Sequence, residues 1–148
     1  MSAGVEVLYR GVLVEHARHP HNRRVLADAT ASAEIENPLC GDRVTVYVTG
    51  ADGVVRDVSF VGDACAVATA SASMMTDAVR GKSLDEGRRL FGAFEQFLRT
   101  GCGVLAGVDL GALAAFAGVR EFPSRLRCAL LPWQALFAAV SGDAPPHD

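Results

Sequence analysis

The sequence has no C-x-x-C pair, no long apolar run and no basic face, and each absence removes a class of protein. Its four cysteines, Cys40, Cys65, Cys102 and Cys128, are widely separated, so no zinc-finger or dithiol redox motif can be read from their spacing. The longest apolar stretches fall well below the roughly 18 residues of a membrane span, which argues against a membrane partner. A net charge of −3 argues against nucleic acid, because phosphate contacts need a basic surface. The opening MSAGVEVLYRGVLVEH carries Glu6, Arg10 and Glu15 where a secretory signal would be apolar, and no small-residue cleavage site follows. The expected location is the cytoplasm, a reducing compartment in which the cysteines do not form a disulfide framework.

What is present reads as one domain over residues 1–142 and a disordered tail at 143–148. A chain of 148 residues, half of them apolar, buries enough surface to fold without help from a metal or disulfides. Residues 4–18 fit an amphipathic helix with Val5, Leu8, Val12 and Leu13 near one face, ended by His19-Pro20 because a residue before proline is pushed out of the helical region. From about residue 31 the period becomes two. RVTVYV alternates Val44, Val46 and Val48 against Arg43, Thr45 and Tyr47, VRDVSFVG alternates Val58 and Phe60 against Asp57 and Ser59, and TGADG between them is a turn. A further strand is expected at 31–36.

The rest reads as helices: 65–80, a segment with Ser83 as N-cap and a glutamate three residues on that stops at Gly101, a short helix capped by Asp109, and a last helix starting near Ser124 with a distortion at Pro132. The fold class is α+β, a small three-stranded antiparallel sheet packed against several helices.

On that map three cysteines fall at element ends. Cys40 and Asp42, two apart in extended chain, point to the same side. Cys65 lies where the second hairpin strand hands over to a helix, and Cys128 lies in the first turns of the last helix beside Arg125 and Arg127. Both are places that favour a thiolate. Three thiolates and a carboxylate suit a four-coordinate Zn2+, and the same thiols could hold iron and sulfide. Free cysteine is also among the most buried residue types, so the residues alone leave packing and metal binding as open alternatives.

The segments NPLCGD, GDACAVATASASMMTDAVRGKSL and FPSRLRCALLPWQAL occur in that order and resemble the cysteine-bearing signatures of the IscU/SufU/NifU N-terminal family of iron–sulfur cluster assembly proteins. LYRGVLVEHARHPHN is similar to that family's first helix and the turn after it. The likeness covers about residues 7–140. IscU-type scaffolds have Leu-Pro-Pro-Val-Lys before the third cysteine, where this chain has EFPSRLRC. The segment 82–108 is also longer than in IscU, and both departures resemble the SufU type.

The resemblance implies a Zn2+ ion held by Cys40, Asp42, Cys65 and Cys128. It implies transfer of persulfide sulfur from a SufS-type cysteine desulfurase toward the Suf assembly complex, without the additional C-terminal cluster domain of NifU. Cys40 is the expected sulfur acceptor. Arg125 matches an arginine typical of the branch, either pairing with Asp42 or a displaced thiolate or serving as a plain surface residue. The alternative implied by the family is a scaffold on which a 2Fe–2S cluster is built on the same four residues.

Other candidates carry less. Cys102 matches no ligand position of the family and reads as a spare thiol. His16, His19 and His21 are crowded enough to suggest a metal, but a role in capping the helix end or contacting a partner is the simpler reading. Met74 and Met75 read as core, and Gly41 and Gly62 as tight backbone turns.

Overall fold

The computed structural model describes residues 3–38, 41–100 and 110–141. Three strands, β1 (Ala31–Asn37), β2 (Asp42–Ala51) and β3 (Val54–Asp63), form one antiparallel sheet in the order β1-β2-β3. The period-two pattern sets the inner face. Val44, Val46 and Val48 are buried, with Val46 opposite Phe60 and Val48 opposite Val58. Asp52 and Gly53 turn β2 into β3 with φ of 54° and 75°, the two positive values that a tight hairpin turn requires. An irregularity between Thr49 and Gly50 shifts the register, and beyond it Val55 is buried while Val54 is turned outward.

Helix α1 (Ala3–Arg18) precedes the sheet, and three further α-helices follow it: α2 (Ala66–Val79), α3 (Leu84–Thr100) and α4 (Pro123–Ser141). Helix α3 starts with the expected capping box. The Glu86 amide donates to Ser83 Oγ at 3.1 Å and the Ser83 amide donates to Glu86 Oε1 at 3.2 Å, satisfying two amides that the first turn leaves over. The expected stop at Gly101, the cap at Asp109 and the tail at 143–148 lie outside the described residues.

One expectation is corrected. The short helix after residue 109 is a 3-10 helix over Gly111–Glu121. Leu113, Phe116 and Val119, spaced by three, are all buried, and a repeat of three residues per turn is what aligns them on one face. Helix α4 begins at Pro123, one residue ahead of the expected start, and contains Pro132 as expected. Packing outweighs the amide that Pro132 cannot offer to the Cys128 carbonyl, since Pro132 and its neighbours Leu130, Leu131 and Trp133 are all buried.

Helix α4 lies across β1, β2 and α2, and α1 lies along α2. The core between them contains Met74 and Met75, as their pattern indicated, with Phe94, Leu98, Phe116 and Trp133. No helix of the described residues is long and apolar enough to cross a membrane.

Candidate metal centre

Asp42, Cys65 and Cys128 come from three different elements and meet at one end of the sheet. Gly41, at φ 76°, takes the left-handed conformation that glycine adopts freely. Its amide bonds back to the Asn37 carbonyl at 2.8 Å. The following residue, Asp42, faces Asn37 in the β1–β2 ladder and is buried.

Cys65 follows the end of β3 and serves as the N-cap of α2, its sulfur accepting from the Ala68 amide at 3.5 Å. Cys128 projects from the second turn of α4 and is 2% exposed. The carboxylate of Asp42 joins the other two: Oδ1 accepts from the Cys65 amide at 2.9 Å and Oδ2 from the Cys128 thiol at 3.2 Å. The Cys128 sulfur also lies 3.5 Å from the Ser124 carbonyl. One donor atom from each of the three residues lies within 4.8 Å of the others.

Gly62 controls how β3 approaches this end. It is not in a turn, as the sequence suggested, but within β3 opposite Val44. A Cβ at Gly62 would collide with the Arg43 carbonyl oxygen, so any side chain forces the strands apart. Gly62→Ala is expected to cost about 1–3 kcal/mol by overpacking. Because Cys65 follows three residues later, the same variant should also lose metal on dialysis faster than the parent; urea unfolding and metal analysis check both.

The electrostatics of Cys128 differ from expectation. Its position near two arginines suggested a favoured thiolate, but Arg125 and Arg127 are exposed while the sulfur turns inward. Burial pushes the thiol well above its ordinary range, and the hydrogen bond to Asp42 and the neighbouring Cys65 push it further. Without a cation these surroundings favour the thiol form of Cys128 over its thiolate. Among the described residues Arg125 makes no ion pair with Asp42. Cys40 and Cys102 lie outside the described residues.

Two sulfurs and one carboxylate oxygen in a half-buried cluster are a donor set that fits Zn2+, and they fit iron with sulfide as well. Asn37, buried opposite Asp42, was not singled out from the sequence; a polar residue directly before Pro38 at the end of a strand was the available signal. Beside the cluster a cleft of about 330 Å3 runs between β1 and α4, lined in part by Asn37, Arg99, Arg127 and Gln134.

His16 and His21 both bond to α2, through Ser73 and Asp77, while His19 is exposed and closes the end of α1 by donating its amide to the Glu15 carbonyl at 2.8 Å. Sequence reasoning missed the pairings with α2 because the partners lie more than fifty residues away.

Comparison with known proteins agrees with this architecture. The zinc-dependent sulfurtransferase SufU of Bacillus subtilis is 36% identical over 140 residues, covering 95% of this chain and 94% of that protein. The iron–sulfur cluster assembly scaffold protein IscU of Streptococcus pyogenes is 37% identical over 137 residues, covering 93% and 85% respectively. The crystal structure of a nitrogen-fixing NifU-like protein (N-terminal) from Brucella abortus superposes with a TM-score of 0.81 at 29% identity, covering 93% of this chain and 94% of that one. Residues 8–129 match the family described as NifU-like N terminal domain, and the chain belongs to that family.

Proposed function

We propose that this protein is a zinc-dependent sulfur-transfer protein of iron–sulfur cluster assembly. It accepts persulfide sulfur from a SufS-type cysteine desulfurase in the cytoplasm and passes it to the Suf assembly complex. The observation that carries this reading is the convergence of Asp42, Cys65 and Cys128 within 4.8 Å. The similarity to a relative named as a zinc-dependent sulfurtransferase supports it.

Cys40, Asp42, Cys65 and Cys128 would hold the ion. Bound there, Zn2+ keeps thiolates deprotonated at neutral pH and adds no redox chemistry of its own. The residues supply the rest. Asp42 engages the Cys65 amide and the Cys128 thiol at once, which orients both sulfur donors.

The Cys40 thiolate attacks the outer sulfur of the desulfurase persulfide. A bond forms between Cys40 Sγ and that sulfur, the bond to the desulfurase cysteine breaks, and its electron pair leaves on the desulfurase thiolate. No electron is gained or lost overall. Arg125, on the turn before Cys128, is the auxiliary that neutralises the displaced thiolate.

The S. pyogenes relative, named as a scaffold, favours a second reading in which a 2Fe–2S cluster is built on the same four residues. Purification without oxygen separates the two. A colourless protein with about one zinc per chain and no sulfide, whose stimulation of a desulfurase disappears in Cys40→Ser, is the expected result. Brown protein with iron and matching sulfide would establish the scaffold instead. Metal-free protein, with Cys40→Ser as active as the parent, would overturn both.

A further inference from the structure

A second group of metal-ligating side chains stands apart from the cysteines. His16 from α1, His21 from the segment after it and Asp77 from α2 each offer a donor atom within 4.8 Å of the others. Cys65 caps the start of α2 and Asp77 lies near its end, so the two clusters are separated by about 18 Å of helix at 1.5 Å per residue. We propose that His16, His21 and Asp77 form a second site, for a divalent transition metal such as Zn2+, Ni2+ or Co2+, in which the ion clamps α1 and the following segment onto α2.

The donor set is the first argument. Two imidazoles and a carboxylate suit zinc and the later first-row metals and not Ca2+ or Mg2+, which prefer oxygen alone.

The second argument is that these donors are held in place. His16 Nδ1 is 2.7 Å from Ser73 Oγ, and the same oxygen accepts from the His21 amide at 2.7 Å. One hydroxyl on α2 thus fixes both the ring of His16 and the backbone of His21, leaving the ring centroids 4.6 Å apart. A ligating histidine ordinarily has its second nitrogen tied to a protein group in this way. With His16 Nδ1 engaged by Ser73, Nε2 is the nitrogen left for an ion.

The carboxylate is oriented too. Asp77 Oδ2 lies 2.5 Å from His21 Nδ1, and Oδ1 accepts from Asn22 Nδ2 at 3.3 Å. Asn22 is set by its other end, where Oδ1 accepts from Arg80 at 2.6 Å. The nearby guanidiniums of Arg24 and Arg80 are both committed to Asp57 and do not neutralise Asp77. A metal ion entering the site takes the place of the proton between His21 and Asp77. His21 and Asp77 are 52% and 45% exposed, so an ion can reach them from solvent and keep water in its remaining positions.

Cobalt(II) tests the site on the tag-free protein. Co2+ on thiolates gives an intense sulfur-to-metal charge-transfer band in the near ultraviolet, and Co2+ on imidazole and carboxylate does not. Titration of the parent is expected to show two classes of bound Co2+, one with the band and one without. His21→Ala and Asp77→Asn are each expected to weaken the second class by more than about 100-fold, beyond what losing a group that only orients a ligand would cost, while the thiolate band stays. Circular dichroism confirms folding, and the conservative Asp77→Asn retains the hydrogen-bonding shape. A thiolate-free class that persists unchanged in both variants, or none in the parent up to about 1 mM Co2+, would overturn the proposal.

Discussion

Asp42→Asn is expected to leave the fold standing while abolishing stable metal binding, whereas Asp42→Ala damages both. The carboxylate has two tasks: it accepts from the Cys65 amide through Oδ1 and from the Cys128 thiol through Oδ2. An asparagine of the same shape can keep its oxygen toward the Cys65 amide and donate from its nitrogen to the Cys128 sulfur, so the metal-free arrangement survives within about 1 kcal/mol. Its neutral amide is a poor zinc ligand, however, and the affinity should fall by more than the roughly 10–100-fold that losing an orienting group costs. Alanine removes the acceptor altogether. The Cys65 amide then loses its carboxylate partner in a half-buried setting, at a cost of about 1–3 kcal/mol. Urea unfolding of the metal-free proteins, together with competition against a zinc chelator, measures the two effects separately. Equal zinc affinity in the parent and the asparagine variant would remove Asp42 from the site.

Trp133→Ala should produce the largest loss of stability, about 3–5 kcal/mol. Trp133 is fully buried and joins three helices. It stacks on Phe91 of α3 at 5.8 Å, meets Phe94 at 5.5 Å, and donates from its indole nitrogen to Ser71 Oγ of α2 at 3.2 Å. Ser71 in turn donates to the Ala129 carbonyl of α4 at 2.5 Å. Removing the indole opens a cavity and strips the serine of a donor. Because Ala129 adjoins Cys128, the slack is transmitted to the metal centre, and the variant should release metal at lower urea than it unfolds. Trp133→Phe, which keeps most of the apolar volume, should recover more than half of the loss. The parent contains one tryptophan, so circular dichroism and not fluorescence must follow the variants. Unfolding of Trp133→Ala within about 1 kcal/mol of the parent would show that the helices close over the gap.

The parts of the fold governed by local rules could be read directly. Alternating Val44, Val46 and Val48 and the Asp52-Gly53 turn specify the hairpin by period and backbone sign, and Ser83 with Glu86 specify a helix start. What could not be read was decided at a distance. The surroundings of Cys128 looked electropositive from its neighbours in sequence, but which face α4 buries depends on what it packs against, and that turned the sulfur away from both arginines. The 3-10 helix was read as an ordinary one because Leu113, Phe116 and Val119 can also fall near one side of an α-helix. Gly62 offered no signal to separate a turn from a close approach of strands. The cysteine spacing alone did not assemble a site. The ordered signatures pointed to Asp42, Cys65 and Cys128, which the structure brings together, while Cys40 lies outside the described residues.

Asp42 and Cys128 are 86 positions apart, and this separation has a consequence for how the protein is made. Synthesis at roughly 5–20 residues per second exposes Asp42 and Cys65 several seconds before Cys128 exists. In that interval two of the three residues that the structure brings together exist without the third. The full set appears only after α4 has left the ribosome and settled across the sheet and α2. On the proposed function, capture of an ion is therefore a late event, since the site is complete only in chains that have made α4.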